Sequence, residues 1–547
     1  MADKPQESAV GSDPTARHSA VVDTDMAFLA EAERAKDAEH RAGLWASLKL
    51  YPAATGWSIL FSTAIVMEGF DLALLGSLYA YPPFQRKFGV LGSDGSYQIT
   101  ANWQTGLTMG AQVGEILGLF SVGLIAERFG YRYTLIGALS LVMCFIFIVF
   151  FAESLAQLLA GEILLGIPWG AFQTLTITFA AEVCPVNLRA YLTSYVNLCW
   201  VFGQLIASGV MRAMLNRDDD MGYHIPFALQ WMWPVPLIVG IFLAPESPWW
   251  LVRKERLEDA KRSLLRLTST NSDVPFNADE TLSMMVHTNQ LEKAAVAGTT
   301  YWDCFKGSNL RRTEITVVVE TIPQLCGTCL QAYSTYFYEQ AGMSVSNSFN
   351  MTMIQYAIGA VGTVLSWFMM AYGGRRKVYL IGLTCLFICL MVIGFVSIVP
   401  KSNTSAQWAI GTMLILHTFA YDATVGPVSY TLVSELASTR LKNKTVVVAR
   451  NVYNISGIIV NVLTPRMLNP SAWDWGAKTG FFWAGLSFAC LVWGFFRLPE
   501  PKGRTYAELD ILFEKNIPAR KFKSTVVETL QVEPETEKEK AAAEMVE

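Results

Sequence analysis

The sequence predicts an all-α membrane protein whose twelve transmembrane helices fall into two sets of six. Of the 547 residues, 52% are hydrophobic and only 16% are charged, whereas a soluble globular chain carries about a quarter charged residues. The mean hydropathy is +0.32, and the charges are concentrated in the two ends, one central stretch and short loops. The stretches between them approach the length of a helix that crosses a bilayer. We therefore expect the lipid bilayer to surround most of this chain.

Apolar segments can be placed along the chain in order, with a polar interval after the sixth. The first set lies at 54–76, 102–124, 133–152, 158–181, 191–212 and 228–245, and the second at 315–338, 350–371, 378–399, 407–432, 446–465 and 480–497. These positions predict five parts: a largely disordered cytoplasmic tail at 1–50, a first half at 51–247, a cytoplasmic loop with short helices at 248–312, a second half at 313–498 and a cytoplasmic tail at 499–547.

Lysine and arginine are concentrated in the loops on one side of these segments. Because cytoplasmic loops carry the excess of positive charge, we expect both termini to be cytoplasmic and the plasma membrane to be the location. On the opposite side, Asn403-Thr404-Ser405 has the pattern of a glycosylation acceptor. The net charge of −4, without a basic patch that carries stacking aromatics, argues against nucleic-acid binding.

Acid–base motifs recur at matching places in the two halves, each at the predicted cytoplasmic end. Pro245-Glu246 follows the sixth segment and Pro499-Glu500 follows the twelfth. We predict a cytoplasmic gate of ion pairs that holds the halves together while the outside is open; the alternative is positive-inside topology with solvated pairs. The predicted gate residues are Glu127, Arg128, Arg132, Glu182, Arg189, Arg375, Arg376, Glu435 and Lys442.

Charged residues also lie inside the apolar segments, where a charge costs at least a few kcal/mol and normally faces a cavity or a partner. Glu68 and Asp71 lie three residues apart on the first segment, Glu115 lies on the second, Glu162 on the fourth and Arg450 on the eleventh. Several acids with few bases cannot all stay ionised in hydrocarbon. The alternative is static ion pairing between helices.

The whole span from about 54 to 515 resembles the sugar-porter branch of the major facilitator superfamily and, more narrowly, the fungal α-glucoside (maltose-type) proton symporters. The matching motifs are Glu68-Gly69-Phe70-Asp71, Gly161-Glu162, Gly166-Ile167-Pro168-Trp169-Gly170, Gln230-Trp231-Met232-Trp233-Pro234, Pro245-Glu246-Ser247-Pro248 and Pro499-Glu500-Pro501-Lys502-Gly503-Arg504. The resemblance implies two six-helix bundles that alternate access around a central site for a small sugar.

The resemblance also implies positions that face the sugar. It points to Gln204, Gln324, Tyr430 and Tyr453, and carboxamides suit sugar hydroxyls because they both donate and accept hydrogen bonds. The alternative for a glutamine is a hydrogen bond between helices. Pro323, Cys329 and Tyr430 replace residues of many hexose porters, which favours a larger sugar.

Proton coupling follows from the same resemblance. In many sugar–proton symporters the position of Glu162 is an arginine that pairs with the acid at position 71, so Asp71 is expected to pair with Arg450 or to lie near Glu68. We predict that Glu68, Asp71, Glu115 and Arg450 couple proton entry to sugar binding.

The sequence therefore predicts proton-coupled import of α-glucosides by a monomer, with the proton as coupling ion and no cofactor or metal. The pair Cys326 and Cys329 lacks a companion histidine cluster and is interpreted as packing. No nucleophile elbow or P-loop occurs, so an enzyme or an ATP-driven pump is not expected. Two alternatives remain: a facilitative hexose or polyol carrier and a non-transporting sugar sensor.

Overall fold

A computed structural model shows the chain as a set of long helices. It describes residues 34, 44–91, 95, 97–269, 276–296, 299–438, 441–502, 504 and 506–525. Most of the predicted tail at 1–50, and everything after 525, lie outside these residues. The first described helix is Leu44–Leu50.

Six helical spans form the N-terminal bundle. Span 1 consists of Pro52–Ser62 and Ile65–Leu78; spans 2 to 5 are Ala101–Phe129, Tyr131–Phe150, Leu155–Val183 and Val186–Met214; span 6 consists of Met221–Leu229, the 3₁₀ turn Gln230–Met232 and Pro234–Leu243. Between spans 1 and 2 lie the helix Pro82–Phe88 and two antiparallel strands of two residues each, Val90–Leu91 and Tyr97–Gln98.

Six further spans form the C-terminal bundle. Span 7 consists of Gly307–Leu325, Cys329–Ala332 and Ser334–Gln340; spans 8 and 9 are Val345–Gly373 and Arg375–Val396; span 10 consists of Thr404–Ala420, the π-helix Tyr421–Val425 and Gly426–Leu436; span 11 is Lys442–Leu468; span 12 is Thr479–Arg497 after the 3₁₀ turn Gly476–Lys478. The predicted all-helical fold is confirmed.

Four of the spans are interrupted: spans 1 and 6 as well as spans 7 and 10. Ten spans of the described chain are long and apolar enough to cross a bilayer by length and composition, and spans 7 and 10 are not among them. Breaks of this kind are tolerated in membranes only where neighbouring helices or a cavity satisfy the freed backbone groups.

Spans 2 and 4 pack very closely within the N-terminal bundle. A Cβ added at Gly114 would collide with the carbonyl of Ile163, and one added at Gly166 would collide with the carbonyl of Ala111. Small residues let the backbones of membrane helices approach in this way. This contact fixes Glu115 and Glu162 on neighbouring helices.

The central loop and the start of the C-terminal tail are helical as well. The loop holds Pro248–Arg253, Leu257–Leu267, Ala278–Val296 and the 3₁₀ turn Tyr301–Phe305, and the tail holds Tyr506–Glu514 and Ala519–Lys521. Phe513 and Phe522 of the tail are fully buried, and Asp510 forms an ion pair with Arg312 at the start of span 7. The first part of the tail therefore packs on the C-terminal bundle.

Candidate transport site

Arg450 of span 11 lies at the centre of a polar network that joins the two bundles. Its Nη1 donates to Oε1 of Glu320 on span 7 at 3.2 Å, and its Nη2 donates to Oε1 of Gln173 on span 4 at 3.0 Å. The guanidinium lies 4.6 Å from the ring centroid of Tyr453. A planar guanidinium can hold partners on two helices at once because its donors form a rigid fork.

Gln173 extends this network to acids of the N-terminal bundle. Its Nε2 donates to Oε1 of Glu68 at 2.6 Å, while Glu115 lies beside the same amide and within electrostatic reach of Arg450. The structure thus brings Glu68, Glu115 and Arg450 together. The amide joins them because its oxygen accepts from the cation while its nitrogen donates to the acid.

Asp71 lies outside this network, and the expected pairing with Arg450 is wrong for this structure. Its Oδ1 accepts a hydrogen bond from Nε2 of Gln230 on span 6, and its carboxyl lies within hydrogen-bonding reach of Glu162 on span 4. Asp71 is nearly one helical turn beyond Glu68 along span 1, which is enough for it to contact other helices. The predicted set of acids is therefore divided between two places.

Three half-buried amides from three spans meet beside Gly457 of span 11. Nδ2 of Asn461 donates to Oε1 of Gln112 on span 2 at 2.8 Å. A Cβ added at Gly457 would lie 2.6 Å from Nε2 of Gln112 and 3.5 Å from Nε2 of Gln324. The predicted Gln324 thus belongs to an amide cluster between the bundles, which suits a ligand rich in hydroxyl groups.

The other predicted sugar-facing residues lie on spans 5, 10 and 11. Gln204 is half-buried on span 5, and no hydrogen bond of its side chain is found among the described residues. Tyr430 is 49% exposed although Val428 and Ser429 beside it are buried, so its ring faces open space. Tyr430 and Tyr453 both adjoin Arg450, which places the aromatic residues next to the charge network.

The predicted gate residues lie at one end of both bundles, the basic rim, formed by the loops at 129–132, 244–248, 374–377 and 498–502. In the N-terminal bundle, Glu246 accepts hydrogen bonds from the backbone N–H groups of Tyr131 at 3.1 Å and Arg132 at 3.2 Å. Burial raises the pKa of Glu246, although these N–H donors and that of Ser247 lower it. This carboxyl therefore ties span 3 to the end of span 6.

Glu182 of the same bundle pairs with a base of the central loop and not with Arg189, the other gate residue near it in the sequence. It forms an ion pair with Arg253 at 2.8 Å and accepts hydrogen bonds from Tyr131 at 2.9 Å and from Ser247. Nε of Arg189 is buried without a hydrogen-bond partner among the described residues. The helix of the central loop that carries Arg253 brings this base closer than the loop after span 4 does.

The C-terminal bundle repeats the arrangement. Glu500 accepts from the N–H groups of Arg375 at 3.0 Å and Arg376 at 3.1 Å, and Arg375 forms an ion pair with Glu435 at 2.8 Å. Glu127 and Arg128 are exposed, and the side chain of Lys442 lies outside the described residues. Each of these rim pairs joins parts of one bundle. That ion pairs at the rim hold the two bundles together in another conformation stays a prediction.

Further hydrogen bonds between the bundles lie at the end opposite the basic rim. The hydroxyls of Thr108 and Tyr333 are 2.8 Å apart, and Nε of Arg212 donates to Oδ1 of Asn350 at 2.6 Å. Nδ2 of Asn469 donates to the carbonyl of Ile99 at 2.8 Å. The bundles are thus closed together at this end.

Asn403 lies at the same closed end and caps the first helix of span 10. Its side-chain oxygen accepts from the N–H groups of Ser405 at 3.0 Å and Ala406 at 3.3 Å, and the residue is exposed. The amide nitrogen that a glycan would modify is not used in this cap. Glycosylation of Asn403 stays a prediction.

Sequence reasoning missed several polar residues of the site. Glu320 and Asp422 are acids inside predicted apolar segments, so the signal that identified Glu115 was present for both. Asp422 is buried in the π-helix of span 10, against Gly359 of span 8. Gln173 and Gln112 gave a weaker signal because an amide is common in a membrane helix.

Comparisons with known proteins identify the family. The sequence model of the family described as "Sugar (and other) transporter" matches residues 57–513. The chain is 45% identical over 509 residues to the general alpha-glucoside permease of Saccharomyces cerevisiae, covering 92% of this chain and 82% of that protein. It is 44% identical over 522 residues to maltose permease MAL61 of the same yeast, covering 94% and 84%.

Solved structures of more distant proteins share the fold. The inward-open xylose transporter XylE from E. coli gives a TM-score of 0.67 at 19% identity, over 84% of this chain and 99% of that chain. The proton:xylose symporter XylE bound to 6-bromo-6-deoxy-D-glucose gives 0.67 at 20% identity, over 85% and 99%. With its family match over most of the chain and its yeast relatives, this protein belongs to the sugar transporter family of the major facilitator superfamily and is a multi-pass membrane transporter, not an enzyme.

Proposed function

We propose that this protein imports α-glucosides, meaning maltose and related disaccharides, across the plasma membrane by proton symport with alternating access. The names of its relatives, a general alpha-glucoside permease and a maltose permease, support the substrate class. The observation that carries the coupling is the network in which Arg450 binds Glu320 of one bundle and, through Gln173, reaches Glu68 of the other.

The amide cluster supports a sugar with many hydroxyl groups. Gln112, Gln324 and Asn461 come from both bundles and lie close together, so a ligand that binds them all holds the two bundles together. The aromatic rings of Tyr430 and Tyr453 offer apolar faces on which a pyranose ring can pack. Sugar binding would thereby favour closure around the ligand.

The charge network supports coupling to protons. Glu68 and Glu115 face one cation that is shared with Glu320. Protonation of an acid in this set removes a charge that Arg450 attracts, so the strength of the connection between the bundles changes with each proton bound. We propose that Asp71 takes part from its own place on span 1.

The basic rim is proposed to face the cytoplasm, because it carries the lysine and arginine of the loops. Both termini and the central loop would lie on this side, and Asn403 would lie outside. The described conformation, in which the bundles meet at the end of Asn403, would then be closed on the outer side. We propose that the protein works as a monomer, because each bundle contributes residues to one site within a single chain.

A transport assay tests the substrate and the driving force together. The full chain is expressed in a host that lacks disaccharide uptake, and labelled maltose, trehalose, sucrose and glucose are supplied with and without a protonophore. We expect concentrative maltose uptake that the protonophore abolishes. Uptake of glucose alone, insensitive to the protonophore, would instead show a facilitative hexose carrier, and no uptake of any sugar would favour a sensor.

Proton movement on sugar addition tests the coupling residues. We expect Asp71→Asn and Glu115→Gln each to lose alkalinisation of the medium when maltose is added. Glu153→Gln is the matched control, because Glu153 is an exposed acid between spans 3 and 4. Wild-type proton-to-sugar ratios in both test variants would contradict the assignment.

A further inference from the structure

Asp71, Glu162 and Gln230 meet inside the N-terminal bundle, away from the Arg450 network. They come from spans 1, 4 and 6, and their exposed fractions are 0%, 0% and 1%. Nε2 of Gln230 donates to Oδ1 of Asp71, and the carboxyl of Glu162 lies within hydrogen-bonding reach of Asp71. Two carboxyl groups thus face each other in a fully buried place.

Four oxygens of this cluster are buried without a hydrogen-bond donor among the described residues. They are Oδ2 of Asp71, both carboxyl oxygens of Glu162 and the side-chain oxygen of Gln230. Buried polar groups are nearly always hydrogen-bonded, and an unsatisfied one indicates a missing proton, water or ion. This cluster therefore offers four acceptor oxygens to a bound proton or another donor.

No base of the described chain forms an ion pair with either carboxyl. The other group close to them that can titrate is the hydroxyl of Tyr79, which lies within electrostatic reach of both acids and is hydrogen-bonded to Thr108 and the carbonyl of Gln104. Two ionised carboxylates in contact, buried and without a cation, repel each other strongly. One proton would turn this repulsion into a short, charge-assisted O–H···O⁻ hydrogen bond.

We propose that Asp71 and Glu162 bind one proton between them and that this pair carries the proton transported with the sugar. The inference rests on the proposed symport and adds Glu162 as a proton-binding residue. In the binding step an O–H bond forms between a solvent proton and one carboxylate, and the charge of the pair changes from −2 to −1. In the release step that bond breaks and the proton returns to water.

The pair is distinct from the network at Arg450. Glu162 and Gln173 lie eleven residues apart on span 4, or roughly 16 Å along a helix. Glu162 is near the start of its helix, toward the end where the bundles close together, whereas Gln173 reaches Arg450. The proton site thus lies in one bundle, while the connection that responds to it joins both.

The cluster connects three spans of the N-terminal bundle. Loss of the proton would push Asp71 and Glu162 apart and so displace span 1 relative to span 4. Span 1 also carries Glu68, which binds Gln173 and through it Arg450. This is the physical route by which a proton at the pair affects the contact between bundles.

Glu162→Gln tests the pair in the full-length chain reconstituted in liposomes. Its amide can donate to Asp71 but cannot release a proton, so we expect maltose counterflow to persist while maltose-driven proton uptake falls by at least tenfold and accumulation is lost. Glu162→Asp keeps a carboxyl and is expected to retain proton uptake. Glu153→Gln, an exposed acid, serves as the control.

The possible outcomes distinguish failure of the proton-binding pair from failure of the proposed symport. Wild-type protein that moves maltose without protons overturns the symport, whereas proton-coupled wild type with an unchanged ratio in Glu162→Gln overturns the pair alone. Uptake driven by a sodium gradient in place of protons would show that the oxygens bind Na⁺, and this also overturns the proposal.

An infrared measurement covers the case in which Glu162→Gln does not fold. Spectra of reconstituted wild type and Glu162→Asp are recorded across a pH titration. We expect a protonated carboxyl C=O band that disappears at alkaline pH and changes frequency in Glu162→Asp. A band that is the same in both proteins would contradict a proton bound to Glu162.

Discussion

At the basic rim, the N-terminal bundle places Glu246 beneath the N–H groups of Tyr131 and Arg132, and the C-terminal bundle places Glu500 beneath those of Arg375 and Arg376. The likeness extends to the guanidinium groups. The guanidinium of Arg132 donates to the carbonyl of Ala244, and the guanidinium of Arg376 donates to the carbonyl of Leu498. Each of these carbonyls lies two residues before the glutamate of its bundle.

The membrane interior shows no such repetition. Four acids, Glu68, Asp71, Glu115 and Glu162, lie in the N-terminal bundle, whereas Arg450 lies in the C-terminal bundle beside Glu320. The rim repeats because both bundles must fix the same helix ends. The interiors of the two bundles differ because coupling needs acids that bind the proton in one bundle and a charged residue in the other bundle that responds to protonation.

Among the variants that test this difference between rim and interior, replacing Arg450 should have the largest effect on transport, because Arg450 is the one base in the described interior network. We expect Arg450→Gln to abolish accumulation of maltose, since breaking a buried ion pair costs about 3–5 kcal/mol and leaves Glu320 unpaired. Arg450→Lys should also fail, because an ammonium cannot hold Glu320 and Gln173 in a fork. Concentrative uptake and surface abundance would be measured in parallel.

A double variant separates charge from geometry at this position. Arg450→Gln with Glu320→Gln removes both members of the ion pair, so the protein should regain abundance in the membrane but not accumulation. Recovery of accumulation in the double variant would show that the pair only supports the fold.

The amide cluster should give the next largest effect. Gln112→Ala and Gln324→Ala each remove one group from the predicted sugar site, and a hydrogen bond contributes about 0.5–1.5 kcal/mol, so the apparent KM for maltose should rise roughly threefold to tenfold. Gln157→Ala, which removes an exposed amide at the start of span 4, should leave it unchanged. An unaltered KM in both test variants would place the sugar elsewhere.

The fold could be read from the sequence because twelve apolar segments and repeated loop motifs leave little choice of topology. Helix interruptions were harder, since the π-helix Tyr421–Val425 lies inside the segment 407–432, which the sequence predicts as one apolar helix. Bounds of span 7 were also misjudged: its helix begins at Gly307, within the predicted loop, because the polar first turns extend beyond the apolar core.

The site was predictable by residue type but not by partner. An acid in hydrocarbon is conspicuous, so Glu68, Asp71 and Glu115 were identified; which helix each faces depends on rotations that sequence spacing does not give. The expected settings for Asp71, a pair with Arg450 or a place near Glu68, therefore did not include Gln230 and Glu162, which the structure places beside it. Gln173 could not be recognised as the link because its role depends on two residues from other spans.

Glycines at the rim allow a matched test of the repeated architecture. Gly130 has φ of +90° and Gly374 has φ of +81°, each with extended ψ, a region that is essentially restricted to glycine. A Cβ at either position would also meet the carboxyl of Glu246 or Glu500. We expect Gly130→Ala and Gly374→Ala each to lower stability by about 1–3 kcal/mol, read as similar decreases of Tm in detergent.

Gly137→Ala is the control for these two variants, because nothing lies within 4 Å of a Cβ added there and its φ is ordinary. A large loss of stability from the substitution in one bundle, with none from the substitution in the other, would mean that the two rims share a geometry but contribute unequally to stability.

The smallest effect concerns the pH dependence of the N-terminal rim. Because burial raises the pKa of Glu246, the folded protein holds this proton at pH values where the unfolded chain has released it. The stability that Glu246 contributes is then greatest below its ordinary pKa and is lost as the pH rises through the raised pKa. Glu246→Gln cannot titrate, so the stability difference between wild type and variant should shrink as the pH rises above the ordinary glutamate pKa of 4.5. Thermal unfolding across this range measures it, and a difference that widens as the pH rises would show that the N–H donors outweigh burial at this carboxyl.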